Sequence, residues 1–188
     1  AILFLSQKKD QPEYVLWFFK KLERLAAYLH ICAKNVNQRI ERYADVIAFL
    51  KGPHSIESPV LSVELTKSEI DEMKEALDDK IYELTARRRN YLILRLDSFL
   101  SDGAAIYDPT LLTIEHVLPQ TVSEGSEWKK LWPDTEERKI WVHRIANLVP
   151  LTQKRNSKAQ NFDFETKKTA YFVGKRGVSS YALTTQVL

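Results

Sequence analysis

Four positions carry residue types suited to cutting a phosphodiester: the adjacent pair Glu115-His116, then Asn147, then Asn156. That reaction needs a general base to take a proton from water, a divalent cation to neutralise the leaving oxygen, and cationic groups to hold the phosphate. His116 is the candidate base, because an imidazole with a pKa of about 6.5 exchanges protons near neutral pH. Glu115 offers a hard carboxylate oxygen and Asn156 a hard amide oxygen, both suited to Mg²⁺ or Mn²⁺. On a regular strand Glu115 and His116 point to opposite faces, but at a frayed strand end both can reach one site. With two protein ligands, water and phosphate oxygens would complete the shell. Asn147 is placed to brace the loop around the base through side-chain-to-backbone bonds. His143 is a further candidate, open between assisting the base, touching phosphate and bracing the loop.

The elements that must position these residues are short. Leu111-Leu112-Thr113-Ile114 is β-prone and ends at the Glu115-His116 pair, just before Pro119. Residues 120–140 read as a polar loop anchored by Trp128 and Trp132; Trp141 reads as an anchor too. Ile145 to Leu151 reads as a second short strand, which Pro150 confines to an edge or an end. A short polar helix from Thr152 to Ala159 would carry Asn156. Phe162, Phe164, Tyr171 and Phe172 mark one more helical segment docking on the core.

The first hundred residues read as helices. Pro12 suits a helix start, and Tyr14, Leu16, Trp17, Phe18, Leu22, Leu25, Tyr28 and Leu29 give an apolar face running to about His30. A second helix begins near Asn35 or Asn37 and stops at Gly52-Pro53, ahead of a loop over 52–62. Thr66-Lys67-Ser68-Glu69 is a capping box, with Ile70, Met73, Leu77, Ile81 and Leu84 as the buried stripe behind it. A helix from Arg87 to Leu100 is apolar nearly all round and so central. The expected fold class is mainly α (α+β), with a helical scaffold over residues 1–105 and the chemistry-bearing region over 106–188. His30 and His54 are assigned no role.

Composition sets wider bounds. Of 188 residues, 44% are hydrophobic and 28% charged, as in a globular domain with a real core. The single cysteine, Cys32, excludes an internal disulfide and a CxxC metal clip, which fits the cytoplasm. No apolar run spans a bilayer, so no membrane is expected, and AILFLSQKKD is not ordered like a signal peptide. The chain opens inside an apolar run and closes on YALTTQVL, which reads as a fragment of a longer protein. The net charge of +3 is small, but Arg144 to Arg176 hold eight basic residues against Asp163 and Glu165. Within that surface Arg144, Lys154, Arg155, Lys158 and Lys167 are candidate DNA-phosphate contacts; a solvated face is the plain alternative.

The segments Thr113-Ile114-Glu115-His116-Val117-Leu118-Pro119-Gln120, His143-Arg144-Ile145-Ala146-Asn147-Leu148 and Asn156-Ser157-Lys158 resemble the HNH nuclease domain at the C-terminus of GmrSD-family restriction enzymes. Asn35 to Tyr43 resembles the family as well. Two positions depart from its pattern: Ala146 stands where glycine usually precedes the Asn-Leu pair, and Val149-Pro150-Leu151 replaces Thr-Leu-Leu. The resemblance implies a ββα-metal finger in which His116 is the base, Glu115 and Asn156 hold Mg²⁺ or Mn²⁺, and Asn147 positions the site. It further implies phage defence by cutting modified DNA, with an N-terminal ParB-like nucleotidase or sensor domain on the same chain or a partner subunit. The competing expectations are a non-catalytic DNA-binding or partner-interaction module and an RNA-cutting toxin with a similar finger.

Overall fold

Capping side chains set several of the helix starts. In this computed structural model, which describes residues 2–52, 61–101, 107–108, 112–157, 161–169 and 181–187, α1 covers Ile2–Lys8 and α2 covers Pro12–Ile31. Pro12 opens α2 because the first turn has no use for the missing N–H. α3, Val36–Lys51, starts at Asn35, whose Oδ1 accepts from Gln38 N while Gln38 Oε1 accepts from Asn35 N, both at 3.0 Å. α4, Lys67–Leu77, repeats this reciprocal cap: Thr66 Oγ1 accepts from Glu69 N at 3.2 Å, and Glu69 Oε2 from Thr66 N at 2.8 Å.

The apolar stripe predicts that α4 continues to Leu84, but it ends at Leu77 and Ile81–Glu83 forms a separate 3-10 turn. The cause is Asp78-Asp79. The Asp79 carboxylate accepts from Lys80 N at 2.7 Å, a local bond that competes with helix continuation. Ile81 is nonetheless fully buried.

Ala1–Leu77 forms one compact unit. Phe4 stacks on Phe18 with ring centroids 4.0 Å apart, and Leu25, Leu29, Val46 and Leu50 extend that core. Leu16, expected on the buried face of α2, is 56% exposed. At the edge of the core the Glu72 carboxylate accepts from Tyr28 Oη and Lys34 Nζ, each at 2.7 Å.

Asp78–Leu188 forms the second unit. It includes α5, Ala86–Leu100. Asp97 of α5 ties the helix into this unit. Its carboxylate is fully buried and accepts from Tyr107 Oη at 2.7 Å and Leu183 N at 2.6 Å. A buried charge must be bonded, so these partners fasten α5 to the C-terminal segment. Leu92 and Ile93 of the same helix are buried, but Phe99 and Leu100 at its end are exposed, so α5 is not enclosed on all sides as its apolar run suggests.

β1, Leu112–His116, and β2, Leu148–Thr152, form an antiparallel pair with Glu115 opposite Val149 and His116 opposite Leu148. Pro150 faces Ile114 in this register; a two-stranded sheet leaves each strand a free edge where a missing N–H is tolerated. Between the strands, the stretch expected as a loop holds α6, Glu127–Leu131, and α7, Thr135–Trp141. Ser126 caps α6, and Asp134 caps α7 by accepting from Glu136 N at 2.7 Å. Trp128 anchors this stretch, buried and donating from Nε1 to Phe162 O at 3.0 Å. Ile145–Asn147 is a 3-10 turn, so β2 starts later than its apolar run suggests.

After β2 come α8, Gln153–Asn156, α9, Phe164–Lys167, and α10, Ala182–Thr185. α8 packs on both strands. Tyr171, Phe172 and Lys158 lie outside the described residues. Among the described residues the chain is thus mainly helical with one small antiparallel sheet. Among the described residues no helix is long and apolar enough to cross a membrane.

Candidate active site

β1 ends on its polar pair, and the two side chains meet different partners. Glu115 is buried, and its Oε1 lies 2.7 Å from Nζ of Lys167, the last residue of α9. The same ammonium donates to the carbonyls of His116, at 2.7 Å, and Val117, at 3.2 Å. Three acceptors use all three N–H bonds of a lysine that is only 1% exposed. Burial pushes the Glu115 carboxyl up and the Lys167 ammonium down; each charge offsets part of the other's burial. Lys167 therefore departs from its expected place among surface phosphate contacts: it is an internal clamp on the end of β1.

His116 is 5% exposed. Its Nε2 lies 3.3 Å from His143 Nδ1, and its Nδ1 lies 3.3 Å from Gln120 Nε2. As that amide is oriented, Gln120 donates to Nδ1, so Nε2 carries the hydrogen and His143 Nδ1 accepts it. The Tyr82 ring packs against both imidazoles, edge-on to His116 at 4.1 Å and stacked on His143 at 5.6 Å. Burial first, and then the neighbouring His143, Lys167 and Arg89, push the His116 pKa down to about 3. The buried ring is therefore neutral at physiological pH.

Asn147 closes the loop beside the ring. Its Oδ1 accepts from Leu118 N at 2.7 Å, and its Nδ2 donates to Leu118 O and Val142 O, both at 2.9 Å. The backbone adds Val117 N to Asn147 O at 3.0 Å. These bonds tie the segment after His116 to the one after α7, on either side of His143.

Asn156 closes α8, half-buried, with Nδ2 3.5 Å from Ile114 O on the strand that carries Glu115. Among the described residues no group of three or more His, Cys, Asp or Glu is placed to hold a metal ion. The available donors are hard oxygens, one from Glu115 and one from Asn156. They suit a magnesium-like cation that keeps most of its water. Lys167 engages Oε1 of Glu115, and the His116 backbone also bonds to this carboxylate.

The candidate phosphate contacts are dispersed in character. Arg144 pairs with Asp78 at 3.1 Å and lies over the Trp141 ring at 4.9 Å. Lys154 is exposed on α8 and Arg155 is half-buried. Sequence reasoning missed Tyr82, Glu83, Arg89 and Gln120 as neighbours of the histidine pair. Glu83 Oε1 lies 3.8 Å from His143 Nε2, and the Arg89 guanidinium carbon lies 4.4 Å from the Tyr82 ring centroid. Only Gln120 had a signal, its place at the end of the IEHVLPQ segment; the others come from the 3-10 turn and α5, far away in sequence.

No curated protein and no solved structure matches the chain. The profile of the family described as GmrSD restriction endonucleases, C-terminal domain, matches residues 67–188, which spans every residue of this site. The chain accordingly belongs to the GmrSD restriction endonuclease C-terminal domain family.

Proposed function

We propose that this chain is a metal-dependent DNA endonuclease of the HNH type, acting in a restriction system against foreign DNA. The observation that carries the reading is the order of elements: His116 ends β1 of an antiparallel strand pair, with His143 beside its ring, and the helix of Asn156 follows β2 directly. This order of elements and residues supports a ββα-metal finger in a chain whose family is one of restriction endonucleases.

In this reading His116 takes the proton of a water molecule as its oxygen attacks phosphorus and one P–O ester bond breaks. Both ring nitrogens are already engaged, so water must exchange with the Gln120 amide at Nδ1. His143 orients the ring from the other side through Nε2, and Asn147 keeps the loop from shifting. Glu115 and Asn156 would hold Mg²⁺ or Mn²⁺, which supplies charge neutralisation at the leaving oxygen when bound. Arg144, Lys154, Arg155 and Lys158 are the proposed cationic surface along the DNA backbone. Recognition of a DNA modification is assigned to a ParB-like sensor domain on the same chain or a partner.

A second reading, a module that holds DNA or a partner without cutting, is favoured by the Glu115–Lys167 pair, which already neutralises the carboxylate meant for the cation. Incubating supercoiled plasmid with the protein in Mg²⁺, Mn²⁺ or EDTA separates the two. Relaxation or linearisation only with a divalent ion supports the nuclease, and DNA binding without cutting in either metal supports the module.

A further inference from the structure

Arg89 occupies an unusual electrostatic position. It stands in the first turn of α5, where Arg87-Arg88-Arg89 run in sequence and no acidic residue accompanies them. Cations at a helix N-terminus oppose the helix dipole, so helix stability does not account for them. Arg89 differs from its neighbours in what it touches. Its Nη1 donates to Tyr82 O at 2.6 Å, and its guanidinium carbon lies 4.4 Å from the centroid of the Tyr82 ring. That ring in turn lies 4.1 Å from the ring of His116.

Arg144, at the same site, has a carboxylate partner in Asp78. Arg89 has none among the described residues, and its buried Nε makes no hydrogen bond. A planar fork anchored at one end and lacking an anion, one aromatic ring away from the base, is built to receive an oxyanion.

We infer that Arg89 grips the phosphodiester that is cut, meeting a non-bridging oxygen while Tyr82 fixes the guanidinium beside His116. This deepens the proposed nuclease reading and rests on it. Tyr82 then acts as a spacer: its ring separates the cation from the imidazole, so the phosphate can lie across both. The role is distinct from that of the basic surface after Arg144, which would meet phosphates along the backbone away from the cut.

The test compares the full chain in a His116→Ala background with the same background carrying Arg89→Gln or Arg89→Lys. Binding to a short DNA duplex is measured over a salt series, with thermal melting as a control for folding. Loss of one phosphate contact should reduce the slope of log K against log salt by about 0.9 for Arg89→Gln, and Arg89→Lys should retain it. With His116 intact, Arg89→Gln should lower kcat/KM by about 10²-fold or more, as loss of a transition-state donor does. An unchanged salt slope in a well-folded Arg89→Gln chain would overturn the inference, as would activity lost in both variants with the slope intact, which makes Arg89 a brace for Tyr82. If the Arg89-intact chain neither binds nor cuts DNA, the nuclease reading itself fails, an outcome separate from either of these.

Discussion

Lys167 Nζ lies 2.7 Å from Glu115 Oε1, and both side chains are buried where β1 ends. Taking two charges out of water costs several kcal/mol for each ion, and the pair exists only because each compensates the other. Lys167 also caps the carbonyls of His116 and Val117. One residue thereby sets the Glu115 carboxylate and the backbone that presents His116.

Replacing Lys167 with Met should destabilise the protein by about 3–5 kcal/mol, because Glu115 is left buried without a counter-charge. Adding Glu115→Gln should recover part of that loss, since the uncompensated charge disappears. Urea unfolding of the two single variants and the double variant measures the coupling. Strict additivity would contradict the buried pair.

Asn147→Ala should cost about 2–4 kcal/mol, since it strands the amide and carbonyl of Leu118 and the carbonyl of Val142 inside the protein. The same change should accelerate amide exchange at Leu118. Exchange measured by NMR or mass spectrometry checks this, and unchanged protection would mean the loop is held by other bonds.

Acid should weaken the fold through His116. The unfolded ring takes a proton below its ordinary value of 6.5, whereas the folded ring resists until about 3. Within that window the unfolded state binds more protons, so stability is complete above 6.5 and declines as the pH falls toward 3. Denaturant melts in EDTA from neutral pH to about pH 5, set against those of His116→Gln, report the His116 contribution. His116→Gln should flatten the decline; an equal slope in both proteins would contradict a buried neutral ring.

The proposed cation ligands predict separable effects. Asn156→Ala should raise the Mg²⁺ or Mn²⁺ concentration needed for half-maximal cutting by about tenfold or more, as loss of groups supporting a metal site does. Glu115→Gln should raise it further, because it removes the only carboxylate of the pair. Activity titrated against metal checks both, and superimposable titrations would remove these residues from the ligand set.

Much of this architecture was legible in the sequence because local signals agreed with the fold. Thr66 begins its helix with the reciprocal cap its sequence predicts, Asn35 is one of the two starts read for α3, Pro12 opens α2, and the Glu115-His116 pair closes a strand. The bonding of α5 to the C-terminal segment was not legible. Its cause is one aspartate, Asp97, binding residues up to 86 positions away, and nothing in the apolar pattern of α5 records that. α6 and α7 escaped notice because five and seven residues are too few for a periodic signal, although Ser126 and Asp134 are ordinary caps. At the site, composition marked Lys167 as one cation among many. Its burial follows from α9 docking on β1, a long-range event without a local signature. Tyr82 and Arg89 were hidden for the same reason.

The most direct test of the central claim is single-turnover cleavage of DNA by wild type and His116→Ala in Mg²⁺ or Mn²⁺, with duplex binding measured in parallel. The account predicts unchanged binding and a fall in cutting of about 10²-fold or more, the scale on which a positioned base acts. Cleavage by His116→Ala at the wild-type rate would contradict it.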